Sequence, residues 1–195
     1  MQNFAELEIN IKSIIDDLKG LCSTNGLSNT AGEEIVVTSV FLYKFLNDKF
    51  IYNLHKFAKE LGISYDELIK NKEDYMDAFY DSYPQDVAFA YEDTIDYLVQ
   101  SVSNKDFYKT FDDTLIRISS YPKNDAFNID TAEGTKKPLF TALSTYVEQS
   151  KKNAFAKNIF SYITRDRFDF GIVSEGNYDF FSTIFEYLIS DYNVA

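Results

Sequence analysis

The sequence has few of the residues that break helices or that build redox and metal sites. Its 195 residues include three prolines, seven glycines, one cysteine, one histidine and no tryptophan. The shortage of proline and glycine disfavours a loop-rich all-β fold and suits helices joined by modest connections. A single cysteine excludes an internal disulfide and any cysteine-based metal cluster. The sequence shows neither a signal-peptide pattern nor an apolar run of about 20 residues, so we expect a cytoplasmic protein without membrane contact.

Aromatic residues and acidic charge are abundant instead. The chain holds 18 Phe and 15 Tyr, which predicts a core built on ring packing. Its net charge is −12, and residues 1–100 contain 18 Asp and Glu against 8 Lys and Arg. Because this field repels nucleic acid, any DNA contact has to be local.

One stretch reverses the acidic balance. Residues 134–168 contain seven basic side chains against two acidic ones. The basic residues are Lys136, Lys137, Lys151, Lys152, Lys157, Arg165 and Arg167. They are either candidate DNA contacts or, in the plainer interpretation, the solvated face of a helix.

Apolar spacing predicts an all-α, multi-helix fold. An apolar stripe at intervals of three and four residues runs through 4–21, and Asn25-Gly26 stops that helix. A capping box at Thr30 opens a long helix over 35–54, whose apolar residues cover more than one face and place it at the centre. Further helices are predicted from Ser64 onwards and over 72–83, 86–102, 107–118, 138–149, 153–164 and 178–192.

Two segments interrupt this helical pattern. The polar stretch 121–137 is the expected internal boundary, if the single domain over 1–195 has one. At most one short hairpin or loop is expected, near 168–176.

The residues offer no convincing catalytic, cofactor or metal site. His55 has no Ser, Cys or second His near it in the sequence, and Cys22 ends an amphipathic helix, so both are interpreted as structural. Adjacent carboxylates such as Asp16 and Asp17 diverge by about 100° on a helix and make poor acid–base pairs. The glycines never approach the spacing of a phosphate or dinucleotide loop. The pattern indicates a helical interaction module that is inactive by itself.

Two stretches resemble a known family, the M (modification) subunits of type I restriction-modification systems. Residues 33–50, EEIVVTSVFLYKFLNDKF, are similar to the central helix near the start of those subunits. Phe168-Asp169-Phe170, followed by residues 178–195, is similar to the helix that leads into their catalytic domain. The opening helix over 4–21 fits the same scheme, and 65–135 is the least distinctive part.

This resemblance implies a helical N-terminal domain of an adenine-N6 DNA methyltransferase subunit. In such proteins a following domain, absent from this chain, uses S-adenosylmethionine and an Asn-Pro-Pro-Phe tetrapeptide to methylate a flipped adenine. No catalytic or cofactor residue is therefore transferred to this sequence. The implied partners are a specificity (S) subunit, a second M subunit, the restriction subunit and double-stranded DNA. The seven basic residues of 134–168 would then position phosphates without reading bases.

Two other functions stay open at this point. The acidic surface and the missing catalytic groups also suit a self-standing helical protein-interaction domain. An enzyme with an unrecognised oxygen-ligand metal site is the third possibility. A glycine motif and Asn-Pro-Pro-Phe in the reading frame beyond Ala195 would identify the methyltransferase, and a stop codon there would favour the interaction domain.

Overall fold

The computed structural model describes residues 4–127, 129, 130, 134, 136–164 and 169–171, and α-helices dominate this part of the chain. The all-α prediction is confirmed. The seven described α-helices are α1 (Phe4–Thr24), α2 (Ala31–Leu61), α3 (Tyr65–Lys70), α4 (Lys72–Ser82), α5 (Ile95–Leu98), α6 (Phe107–Ser120) and α7 (Lys152–Ile163). Short 3-10 helices cover Tyr91–Asp93, Val99–Ser101, Pro122–Phe127 and Leu143–Tyr146.

The central helix α2 begins at the predicted Thr30 cap and runs to Leu61, beyond the predicted end at residue 54. Thr30 has an extended backbone, and its hydroxyl accepts a hydrogen bond from the Glu33 N–H. At the other end Gly62 adopts φ 73°, a left-handed conformation that glycine enters without a Cβ penalty. The 31 residues between these caps span about 46 Å. Buried side chains occur on several faces of α2, so it forms the axis around which the other helices pack.

The core is rich in aromatic rings, as the composition predicts. Tyr43 of α2 contacts Phe111 of α6 edge to face, with ring centroids 5.4 Å apart. Phe160 of α7 meets Phe107 of α6 in the same way at 5.1 Å. The apolar stripe of α1 completes this core and packs against α2 and α7. Residues on both sides of 121–137 therefore share one core, while the domain limits stay a prediction.

Residues 86–102 do not form the single helix that their spacing predicts. The segment is divided into a 3-10 helix, α5 and a second 3-10 helix. Asp93 accepts a hydrogen bond from the Ala90 N–H (2.9 Å), and the Thr94 hydroxyl accepts one from the Tyr97 N–H (3.2 Å). Asp93 caps the start of the 3-10 helix Tyr91–Asp93 and Thr94 caps the start of α5, so two separate helical turns replace a continuous helix.

The predicted helix over 138–149 is also wrong, since only Leu143–Tyr146 is helical there, as a 3-10 turn. Side chains of α6 hold this backbone in an irregular path. The Ser119 hydroxyl donates to the Phe140 carbonyl and accepts from the Phe140 N–H, and Asp112 accepts from the Ser144 N–H. These bonds satisfy backbone groups that a helix would otherwise pair.

The described short hairpin lies elsewhere than the sequence suggests. Strands β1 (Ile129–Asp130) and β2 (Lys136–Lys137) pair antiparallel within the polar connection 121–137, with Ile129 opposite Lys137. Of the segment 168–176, where a hairpin or loop is predicted, only 169–171 are described. The predicted helix over 178–192 lies outside the described residues.

Candidate nucleic-acid interface

The structure brings together three of the seven predicted DNA contacts. Lys151 precedes α7, Lys152 is its first residue and Lys157 lies one and a half turns further on. Lys136 and Lys137 form strand β2, where the side chain of Lys137 is exposed. Arg165 and Arg167 lie outside the described residues.

Tyr108, in the first turn of α6, is the centre of this group. The ammonium of Lys152 lies 5.9 Å from the centroid of the Tyr108 ring, and that of Lys109 lies 5.7 Å from it. Both distances are in the range of cation–π attraction, which holds two positive charges beside one ring. The Tyr108 hydroxyl accepts a hydrogen bond from the Gln149 amide at 3.0 Å, which fixes the ring further.

Asn153 joins the start of α7 to the start of α6. Its side-chain oxygen accepts a hydrogen bond from the Tyr108 N–H (3.2 Å), one of the first-turn donors that has no partner inside its own helix. Its amide also donates to the Asn104 carbonyl at 3.3 Å. Lys157 donates to the neighbouring Ser103 carbonyl at 3.5 Å. The turn before α6 and the first turns of α7 therefore form one continuous surface.

We call this patch the Tyr108 surface and define it as Lys105, Tyr108, Lys109, Lys151, Lys152 and Lys157. Lys105 and Lys109 were not among the predicted DNA contacts. Asp106, Asp112 and Asp113 lie near them in the sequence, so the local net charge is not positive. The only signal in the sequence is that the two lysines flank an aromatic residue. Their proximity to residues 151–157 depends on contacts between residues 45 positions apart.

The lysines of the Tyr108 surface are only weakly neutralised. Lys109 lies 3.4 Å from Asp106 and Lys151 lies 3.6 Å from Glu148, in pairs whose side chains are all more than 40% exposed. Such pairs contribute about 0–1 kcal/mol and exchange readily with another anion. The first turn of α7 carries no acidic residue, and Lys152 sits at the positive end of the helix dipole. An external phosphate would relieve this unfavourable charge placement.

Buried carboxylates elsewhere in the described structure serve the fold. Asp93 is fully buried, and its oxygens accept hydrogen bonds from Arg117 (Nε, 2.8 Å), the Tyr121 hydroxyl (2.7 Å) and the Ala90 N–H. Burial and the neighbouring Asp93 raise the pKa of Tyr121. Because every partner of Asp93 is a donor of the protein itself, this carboxylate crosslinks three segments and presents no free oxygen to a substrate.

Asp48 makes a second crosslink of this kind. It accepts hydrogen bonds from Lys44 (2.9 Å), from Asn47 (2.9 Å) and from the N–H of Phe170 (2.9 Å). Burial raises its pKa, and the Lys44 charge opposes this change only in part. Asp48 therefore attaches residues 169–171 to the middle of α2.

The lone histidine and the lone cysteine lie apart from any reactive partner group. The exposed His55 ring stacks on Tyr65, with centroids 4.0 Å apart and planes 15° from parallel. Cys22 is fully buried, and its pKa is raised to about 12, chiefly by burial and further by Glu33. This burial matches its interpretation as a core residue. Within the described residues, no group of three His, Cys, Asp or Glu is placed to hold a metal ion.

Comparisons with known proteins give no relative from which a function could be transferred. No family model matches the chain, and no curated protein or solved structure is significantly similar to it. Among the described helices, none combines the length and the apolar character needed to cross a membrane.

Proposed function

We propose that this chain is the helical assembly region of a type I restriction-modification DNA methyltransferase subunit, and that its Tyr108 surface contacts DNA phosphates. In this proposal the methyl transfer from S-adenosylmethionine to adenine belongs to another part of the protein. The partners are the S subunit, a second M subunit and the restriction subunit, all in the cytoplasm.

The observation that supports the DNA contact is the pair of lysines beside the Tyr108 ring, Lys109 and Lys152, together with Lys157 bonded to the turn before α6. The chain as a whole has a net charge of −12, so a local basic surface is the part of it that a polyanion can approach. Lysines that donate to phosphates give affinity and orientation, while base recognition is left to other groups. This division suits a protein whose sequence specificity resides in a separate subunit.

The salt dependence of DNA binding tests the Tyr108 surface. Each lost phosphate contact lowers the slope of log K against log salt by about 0.9. The triple variant Lys151→Gln, Lys152→Gln, Lys157→Gln should therefore bind a fluorescent duplex more weakly, with a slope reduced by about 2–3. The measurement is fluorescence anisotropy between low and moderate salt, on the complete protein with its S subunit.

The matched control removes the same charge from another surface. Lys56→Gln, Lys59→Gln and Lys70→Gln replace three exposed lysines of α2 and α3. This variant should keep the wild-type slope. An unchanged slope in the first variant, or equal losses in both, would contradict the role of the Tyr108 surface.

The assignment to the methyltransferase family has its own tests. The reading frame beyond codon 195 should encode a glycine-containing cofactor motif and an Asn-Pro-Pro-Phe sequence. Calorimetry of the 195-residue chain with S-adenosylmethionine should give no binding heat. A stop codon directly after Ala195 would instead favour a self-standing interaction domain, which the excess of acid in residues 1–100 would also suit.

A further inference from the structure

A cavity of about 300 Å³ lies between α2, α4 and the turn at residues 83–87, among residues other than those of the Tyr108 surface. Aromatic rings form much of its wall, including Phe50 from α2 and Phe79 from α4. Phe127, which is 37% exposed, also lines it. Its size is at the lower end of small-molecule sites, and such sites are mostly apolar with a few polar groups.

Packing fixes the rings of this wall. Phe50 and Phe79 meet edge to face with centroids 5.5 Å apart, and Tyr83 lies 5.0 Å from Phe79. The neighbouring Tyr80 hydroxyl donates to the Phe89 carbonyl at 3.0 Å. Rings that are held by neighbours in this way lose little entropy when a flat ligand packs against them.

The polar groups of the cavity have an uneven charge balance. Lys49 lies 2.6 Å from one oxygen of Asp86, and the Asn53 amide donates to the other oxygen at 2.8 Å. Asp86 and Lys49 therefore neutralise each other. Lys123 donates to the backbone carbonyl of Tyr83 at 3.1 Å, and it takes part in none of the ion pairs of the described residues.

We infer that this cavity binds a small aromatic anion, with the flat ring between the aromatic side chains and the carboxylate on the ammonium of Lys123. The apolar wall favours a ring system, and the half-buried Lys123 supplies a positive charge without a carboxylate partner. A compact cation of this kind pairs with a carboxylate by a charge-assisted hydrogen bond.

Naphthalene-2-carboxylate and naphthalene-2-carboxamide form a matched pair of probes, because they have the same ring and differ in charge. In calorimetric titrations of the full chain, the carboxylate should bind with a Kd below the millimolar range. The carboxamide should bind about tenfold more weakly, since hydrogen bonds to charged groups are the stronger ones. If neither probe binds, the proposed site is wrong. If both probes bind with equal affinity, the proposed role of Lys123 is wrong.

Two variants locate the ligand. Lys123→Gln should weaken the carboxylate about tenfold and leave the carboxamide unchanged, whereas Lys70→Gln, which removes an exposed lysine of α3, should change neither affinity. Val87→Trp fills the cavity and should remove binding of both probes, while the thermal unfolding curve shows that the chain stays folded. Retained binding in folded Val87→Trp, or an equal loss in Lys70→Gln, would place the ligand elsewhere and refute the inference. Duplex binding should be unaffected by Val87→Trp, which separates this test from that of the Tyr108 surface.

Discussion

Asn124 offers a sharp test of how the irregular middle of the chain is stabilised. Its side chain is fully buried and bonds to both backbone polar groups of Ala88, as a neighbouring strand would. The side-chain oxygen accepts from the Ala88 N–H (2.6 Å), and the amide donates to the Ala88 carbonyl and to the Ile118 carbonyl (2.8 Å each). One side chain thus joins the segment before Tyr91 to the C-terminal turn of α6.

Replacing Asn124 by alanine leaves these three backbone groups without their partner. An unsatisfied buried group costs about 1–3 kcal/mol, and water that enters the vacated space offsets part of the loss at the half-buried Ala88. We therefore expect Asn124→Ala to lower the free energy of unfolding by about 3 kcal/mol. Asn124→Asp should be at least as harmful at neutral pH, because its carboxylate would face two carbonyl oxygens.

Urea unfolding followed by far-ultraviolet circular dichroism measures this difference, and it suits a chain without tryptophan. Asn158→Ala is the matched control, since Asn158 is an exposed residue of α7. It should change stability by no more than about 0.5 kcal/mol. A loss below about 1 kcal/mol in Asn124→Ala, similar to that of the control, would refute the reasoning that these side-chain bonds hold the middle segment.

Two further predictions concern buried ionisable groups. The Cys22 thiol should react with a disulfide reagent at pH 8 far more slowly in the native chain than in denaturant. The reason is that burial and a pKa raised to about 12 suppress the thiolate. Equal rates would contradict its burial. The folded-state pKa of Asp48 is raised above its ordinary value of 3.8, so the folded chain binds this proton more tightly than the unfolded chain. The stability of the wild type relative to Asp48→Asn should therefore increase as the pH falls through the folded-state pKa towards 3.8. Urea titrations at several pH values measure this difference. A decrease in relative stability would mean that the ion pair with Lys44 dominates.

Local signals predicted the long helices well. The apolar stripe of α1, the Thr30 cap of α2 and the strong amphipathic pattern of α6 are each contained within a few neighbouring residues. Such signals act before any tertiary contact forms, so the sequence alone reveals them.

The segment 138–149, predicted incorrectly as a helix, is held by distant side chains. The bonds from Asp112 to Ser144 join positions 32 apart, and those from Ser119 to Phe140 join positions 21 apart. Apolar periodicity contains no information about such pairs, so 138–149 looks helical although its backbone groups have partners elsewhere. The same limit applies to the candidate site, where local charge revealed Lys151, Lys152 and Lys157 but not their proximity to Lys105 and Lys109.

The lysines of α7 lie on a helix that is anchored in the core, whereas Lys137 lies on the short hairpin. Phe155, Ile159 and Phe160 lie in the core, and Asn153 holds the first turn against α6. Lys152 and Lys157 are half-buried, and each has a defined contact for its ammonium. Ordering such side chains on a phosphate costs less entropy than ordering a freely rotating lysine. Within the proposed interface, Lys152 and Lys157 should therefore contribute more to DNA affinity than the exposed Lys137, although each neutralises a single phosphate.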